Sequence, residues 1–142
     1  MLEVGNDYSV VALIKQLIES PFTFHLTGSH FFGTAHDDSD VDFFVELPNG
    51  CELNKQTDLT TFLEQTLHMH NTGGGSYSDT DNLVVAVYTT VVIYPPVHVQ
   101  IVLDAEVKAL AQNMMKNLGI APTLPAQWTK AYEYARKLLG QT

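Results

Sequence analysis

The chain has 142 residues, enough for one compact domain with a proper core and too few for two of typical size. With 45% hydrophobic and 16% charged residues it reads as a folding sequence, and 16 acids against 7 bases give a formal charge of −9, which excludes a general electrostatic grip on nucleic acid while leaving room for a local basic patch. A single cysteine, Cys51, excludes an intramolecular disulfide and any multi-cysteine zinc site, fits a reducing cytoplasm, and reads as a minor surface or core thiol.

The N-terminal MLEVGNDYSV lacks the basic-then-apolar pattern of a signal peptide. The apolar runs near 83–93 and 97–103 are interrupted by Tyr, Thr, Pro, His or Gln and are too short to span a bilayer as helices. The expectation is a soluble, cytoplasmic protein without membrane contact.

Residues 7–19, DYSVVALIKQLIE, place Val10, Val11, Ile14, Leu17 and Ile18 at helical spacing behind Asn6 or Asp7 as a cap, and Ser20 and Pro21 stop the helix. FTFHLTG, rich in aromatic and β-branched residues, predicts a first strand. After Gly28 and Ser29 turn the chain, HFFGTAHDDS predicts a short helix or loop, and VDFFVEL predicts a second strand ended by PNG. TDLTTFLEQTLHMH spaces Leu59, Phe62, Leu63, Thr66 and Leu67 as one helical stripe capped by Thr57 or Asp58. Residues 71–82 have no apolar period and read as a loop. NLVVAVYTTVVIY and VHVQIVL, split by Pro95 and Pro96, predict two or three strands in a hairpin or meander. AEVKALAQNMMKN predicts a helix with Val107, Leu110, Ala111 and Met114 inward, and AQWTKAYEYARKLLG a last helix packing Trp128, Ala131, Tyr132, Ala135 and Leu139. Strands bunched between helices indicate an α+β fold: a single domain over 1–142, its core at 6–118 and its C-terminal helix at 126–139, with a central mixed β-sheet and helices packed mainly on one face.

The chemistry concentrates in GSHFFGTAHDDSDVDFFVEL, residues 28–47. Strand side chains alternate, so Asp40, Asp42, Phe44 and Glu46 share one face. Two clustered carboxylates repel each other and suit a hard divalent cation such as Mg2+, which accepts a substrate phosphate as a further ligand. The upstream Gly-Ser turn offers backbone N–H groups and a hydroxyl to a phosphate. A Gly-Ser turn or a DSD triplet alone is common in caps and loops. An Asp inside an apolar strand, where a charge is costly, shifts the balance toward a site.

The run HLTGSHFFGTAHDDSDVDFFVEL resembles the DNA polymerase beta-like nucleotidyltransferase superfamily, and among its branches the minimal nucleotidyltransferases, through Gly28 and Ser29, then Asp40-x-Asp42 on an apolar strand, with Gly33 and Ser39 also in place. The resemblance implies a nucleotidyltransferase-like sheet and Mg2+ on Asp40 and Asp42. It also implies contact of Gly28, Ser29 and Ser39 with a nucleoside triphosphate, and transfer of a nucleoside monophosphate to a hydroxyl of a protein, RNA or small-molecule acceptor. The family's third carboxylate sits on a later strand, here VHVQIVLD, where Gln100 takes its position. A carboxamide can neither supply negative charge nor accept the proton. The alternative implied is therefore a catalytically degenerate member, a nucleotide-binding or protein-interaction module such as an antitoxin-like partner. Asp104 shares the parity of Gln100 but stands about 13 Å along the strand, while His98, on the same face, is a weaker alternative base. A homodimer or a second protein could complete so bare a core.

Other candidates carry less. His68 and His70 point apart for a zinc pair, and His30 and His36 flank the turn as solvated loop residues. GGG at 73–75 lacks the Lys-Ser/Thr of a P-loop and reads as a flexible connection or a substrate-covering lid. Lys130, Arg136 and Lys137 form a small basic face, ordinarily only solvated.

Overall fold

The computed structural model describes residues 7–47, 57–72 and 84–140. Helix α1 spans Asp7–Glu19 and strand β1 His25–Thr27, which runs directly into the short helix α2, Gly28–Phe32. Strand β2, Val41–Glu46, follows a loop; helix α3, Asp58–Thr61, widens into a π-helical turn over Phe62–Thr66 before the two-residue strand β3, His70–Asn71. Strands β4, Val84–Thr89, and β5, Val97–Val102, precede helices α4, Ala105–Asn117, and α5, Pro125–Leu138.

The five strands form one sheet in the order β1-β2-β5-β4-β3. Only β2 and β5 run parallel; the other neighbours are antiparallel. The fold is thus α+β around a mixed sheet, as the element order indicates. Pro95 and Pro96 fall between β4 and β5, where neither has to donate a ladder hydrogen bond.

The pleat divides the core. Val41, Phe43 and Val45 of β2 and Val97, Val99 and Ile101 of β5 face α1 and α3, burying Val10, Leu13, Leu17, Leu59 and Leu63. Phe44 and Val102 face the other way, toward Ala105 at the start of α4, while α4 and α5 pack together through Val107, Ala111, Met115, Ala131, Tyr132 and Ala135. Helices therefore cover both surfaces of the sheet rather than mainly the one face that the element order suggests, because Phe44 and Val102 give the second face apolar residues to bury against α4.

Several local expectations shift. In α1 the buried stripe is Val10, Leu13 and Leu17, whereas Val11 and Ile18 are 62% and 72% exposed. Each stands one residue, about 100° of helix, beyond a buried partner. FTFHLTG contributes only three residues to the sheet, and Phe22 and Phe24 pack their rings on Phe62 at 5.8 and 6.4 Å. β3 arises where a helix end was expected: the π turn closes with Leu67 N–H on the Phe62 carbonyl, and His68, at φ 55°, turns the chain into the sheet. Thr57 is the cap of α3, its hydroxyl accepting from Thr60 N–H at 3.1 Å. Asn6, Cys51, GGG at 73–75 and most of the expected loop at 71–82 lie outside the described residues. No helix among the described residues is long and apolar enough to cross a membrane.

Candidate active site

The motif residues come together because β1 and β2 are neighbours. Antiparallel pairing sets Thr27, the last residue of β1, opposite Asp42, the second of β2, so the Gly28 turn begins beside that carboxylate. Gly28 has φ +71°, a conformation that glycine adopts without strain, and a Cβ built on it would collide with Asp42 Oδ2. The glycine is required twice over, by backbone conformation and by the close approach of the carboxylate. Gly33 closes α2 at φ 80° in the left-handed region.

A buried clamp holds the turn from behind. Thr27 Oγ1 donates to Gln112 Oε1 at 2.7 Å, and Gln112 Nε2 donates to the Leu26 carbonyl at 2.9 Å. Gln112 projects from α4 and is only 3% exposed, so the end of β1 is fixed to a helix far along the chain.

The parallel partner brings the third element. Its register sets His98 opposite Asp42 and Gln100 opposite Phe44. His98 reaches both acids, with Nε2 3.5 Å from Asp40 Oδ2 and Nδ1 4.0 Å from Asp42 Oδ1. Gln100 lies one pleat further along the same face; its Oε1 is buried and has no hydrogen-bond partner among the described residues. Burial raises the Asp42 pKa above the ordinary carboxylate value; His98 opposes that shift, the Asp40 charge adds to it, and His30 opposes it weakly.

Gly28, Ser29, Asp40, Asp42, His98 and Gln100 all line one cleft of about 530 Å³. Trp128 and Lys108 line it too, and sequence reasoning placed neither of them at a site. Lys108 is 4% exposed, its Nζ 4.1 Å from the centre of the Trp128 ring and 3.4 Å from Tyr132 Oη. A signal for it existed: Ala105, Lys108, Gln112 and Met115 follow a three-four-three helical spacing, and all are buried. A lysine on that stripe marks a helix face turned toward something polar.

The remaining candidates stand elsewhere. Ser39 does not line the cleft; its hydroxyl accepts from His36 N–H at 2.9 Å, and its carbonyl lies 3.3 Å from His30 Nε2, so it organises the loop before β2. Asp104 caps α4 by accepting from Val107 N–H at 3.4 Å. His68 and His70 border a separate shallow depression with Glu64. On α5, Lys130 lies 4.0 Å from Glu133, and Arg136 and Lys137 sit over the rings of Tyr132 and Tyr134.

Comparison with protein-family models, with curated proteins and with solved structures finds no match for this chain. What the cleft does has to be read from its own side chains. Among the described residues no group of three or more His, Cys, Asp and Glu side chains forms a metal cage. A pair of carboxylates is nevertheless what magnesium uses when a substrate phosphate and water complete its octahedron. Asp40 and Asp42, with side chains 49% and 27% exposed, offer hard anionic oxygens to the cleft, a donor set that fits such an ion.

Proposed function

We propose that the chain is a small nucleotidyltransferase of the DNA polymerase beta-like type, moving a nucleoside monophosphate from a nucleoside triphosphate to a hydroxyl acceptor. One observation carries this reading: the Gly28-Ser29 turn, the Asp40 and Asp42 carboxylates and His98 come from separate elements and open on one cleft. Asp40 and Asp42 would hold Mg2+, which when bound neutralises phosphate charge and makes phosphorus more electrophilic. Gly28 lets the backbone approach the phosphates without a side chain in the way, and Ser29 offers a hydroxyl beside them. The acceptor oxygen bonds to the α-phosphorus as the bond to the departing pyrophosphate breaks, and the acceptor's proton has to leave. His98 is the base the cleft offers for that proton, and the two aspartates flanking its imidazole, 3.5 and 4.0 Å away, stabilise the imidazolium that results. Gln100 can accept a hydrogen bond from the acceptor but cannot take its proton.

A second reading, a nucleotide-binding or protein-interaction module without turnover, draws on a specific feature: Asp40 and Asp42 are the only carboxylates among the described residues lining the cleft. Labelled triphosphates of all four bases, incubated with the protein, Mg2+ and a whole lysate, separate the two. Incorporation of label into an acceptor, with release of pyrophosphate, is expected for the wild type and lost in Asp40→Asn and Asp42→Asn. Mg2+-dependent nucleotide binding with no pyrophosphate released from any donor would replace the transferase reading with the binding one.

A further inference from the structure

The two oxygens of the Asp42 carboxylate face different neighbours. A Cβ on Gly28 would strike Oδ2, so that oxygen lies against the turn, whereas Oδ1 lies 4.0 Å from His98 Nδ1 on β5. The other ring nitrogen, His98 Nε2, lies 3.5 Å from Asp40 Oδ2. The carboxylate pair therefore has a turn side, next to the Gly28-Ser29 backbone, and a β5 side, across which a single imidazole reaches both acids.

Phosphoryl-transfer sites commonly hold two divalent ions, one for the leaving oxygen and one for the attacking oxygen, about 3.5–4 Å apart. Ions so close repel each other strongly, and anionic ligands from the protein have to offset that repulsion. The β5 side has none to add. Asp40 and Asp42 are the only carboxylates among the described residues lining the cleft, and Gln100, the next residue on that face of β5, is uncharged with its Oε1 buried. His98 presents nitrogen there, and magnesium takes oxygen ligands, whereas imidazole suits softer metals.

We infer that His98 stands where a second divalent ion would otherwise bind, so that the chain engages its nucleotide with a single Mg2+ on Asp40 and Asp42. The inference rests on the nucleotide reading given above and deepens it. The acceptor hydroxyl gives its proton to the imidazole as its oxygen bonds to the α-phosphorus and pyrophosphate leaves, with the task of a second ion falling to His98.

Manganese as a probe makes the ion count visible without turnover. Electron paramagnetic resonance distinguishes an isolated Mn2+ from two ions about 3.5–4 Å apart, which couple magnetically. Mn2+ titrated into the wild-type protein with α,β-methylene analogues of the four nucleoside triphosphates, which cannot release pyrophosphate, should saturate at one ion per chain with the isolated-ion spectrum. Binding should be lost in Asp40→Asn. In His98→Asp, which sets a third carboxylate opposite Asp42, uptake should rise to two ions per chain with the coupled spectrum. Two coupled ions in the wild type overturn the inference, a result that requires no variant to fold. A folded His98→Asp protein that still holds one ion overturns it as well, because the imidazole is then not what keeps the second away. Failure of the nucleotide reading looks different: no analogue binds, with or without Mn2+, and the inference falls with it.

Discussion

Asp42 and Gly28 are built against each other, and each limits what the other can become. Gly28→Ala would force a side chain into the Asp42 carboxylate at a backbone φ of +71°, and should lower stability by about 1–3 kcal/mol, read as a shift in the urea midpoint. Combining it with Asp42→Ala should recover part of that loss, a coupling that two independent sites would not show. Asp42 carries a cost of its own. Its pKa in the folded protein is raised chiefly by burial, so the folded state holds that proton more tightly than the unfolded chain does. The favourable contribution is complete below the ordinary carboxylate value and is lost as pH rises through the higher folded value, leaving the ionised acid destabilising near neutrality. Asp42→Asn should therefore be more stable than the wild type at pH 7, with the difference shrinking toward pH 3; equal urea midpoints at both pH values would refute it. Both residues were legible from the sequence, because a glycine before a serine and an Asp-x-Asp opening an apolar strand are local patterns. Lys108 was not, since a lysine on a helix is ordinarily solvated, and only the packing of α4 against Phe44 and α5 shows that this one is enclosed.

Between elements, two polar ties matter, one behind the site and one away from it. Gln112 joins α4 to the last residues of β1. Gln112→Leu leaves the Thr27 hydroxyl and the Leu26 carbonyl without that partner, which should cost about 1–3 kcal/mol and weaken Mg2+-dependent nucleotide binding, because Gly28 follows directly; unchanged affinity by calorimetry would show that the turn needs no support from α4. Tyr88 joins β4 to the π turn by donating to Glu64 Oε2 at 2.8 Å. Burial first, and then Glu64, push its phenol from 10.0 up to about 12. The stability it lends is complete below pH 10 and is lost as pH climbs toward 12, so Tyr88→Phe should flatten the alkaline limb of a denaturation profile. The long helices α1, α4 and α5 could be read from the sequence because three or four turns of apolar spacing accumulate a clear signal. β3 could not: two residues carry no period, and its existence depends on where the π turn releases the chain.

For the molecule as a whole, the α+β class and the mixed sheet followed from the order of elements, but the cross-strand register did not. Reading strand parity puts Gln100 and His98 on one face without saying which stands beside Asp42; the hydrogen bonds between β2 and β5 decide that, and they bring His98 alongside. If the cleft binds Mg2+ and a nucleotide together, each at about 100 times its dissociation constant, the folded state should gain on the order of 2.7 kcal/mol or more, visible as a rise in melting temperature that Asp40→Asn abolishes. The position of the cleft has a further consequence. Asp42 and His98 are each the second residue of a strand, so the site lies where β2 and β5 enter the sheet, whereas open α/β sheets bind ligands where their strands leave it. The segments leading in, 33–40 and 90–96, are joined to each other by the Val41 N–H bonded to the Pro96 carbonyl. Within them, 34–39 and 91–95 can lengthen, shorten or change composition while Asp40, the buried Thr90 that bonds Val97, and the strands bearing Asp42 and His98 stay in place. Descendants of this chain could therefore acquire new acceptors by rewriting two approach loops, with the chemical centre inherited intact.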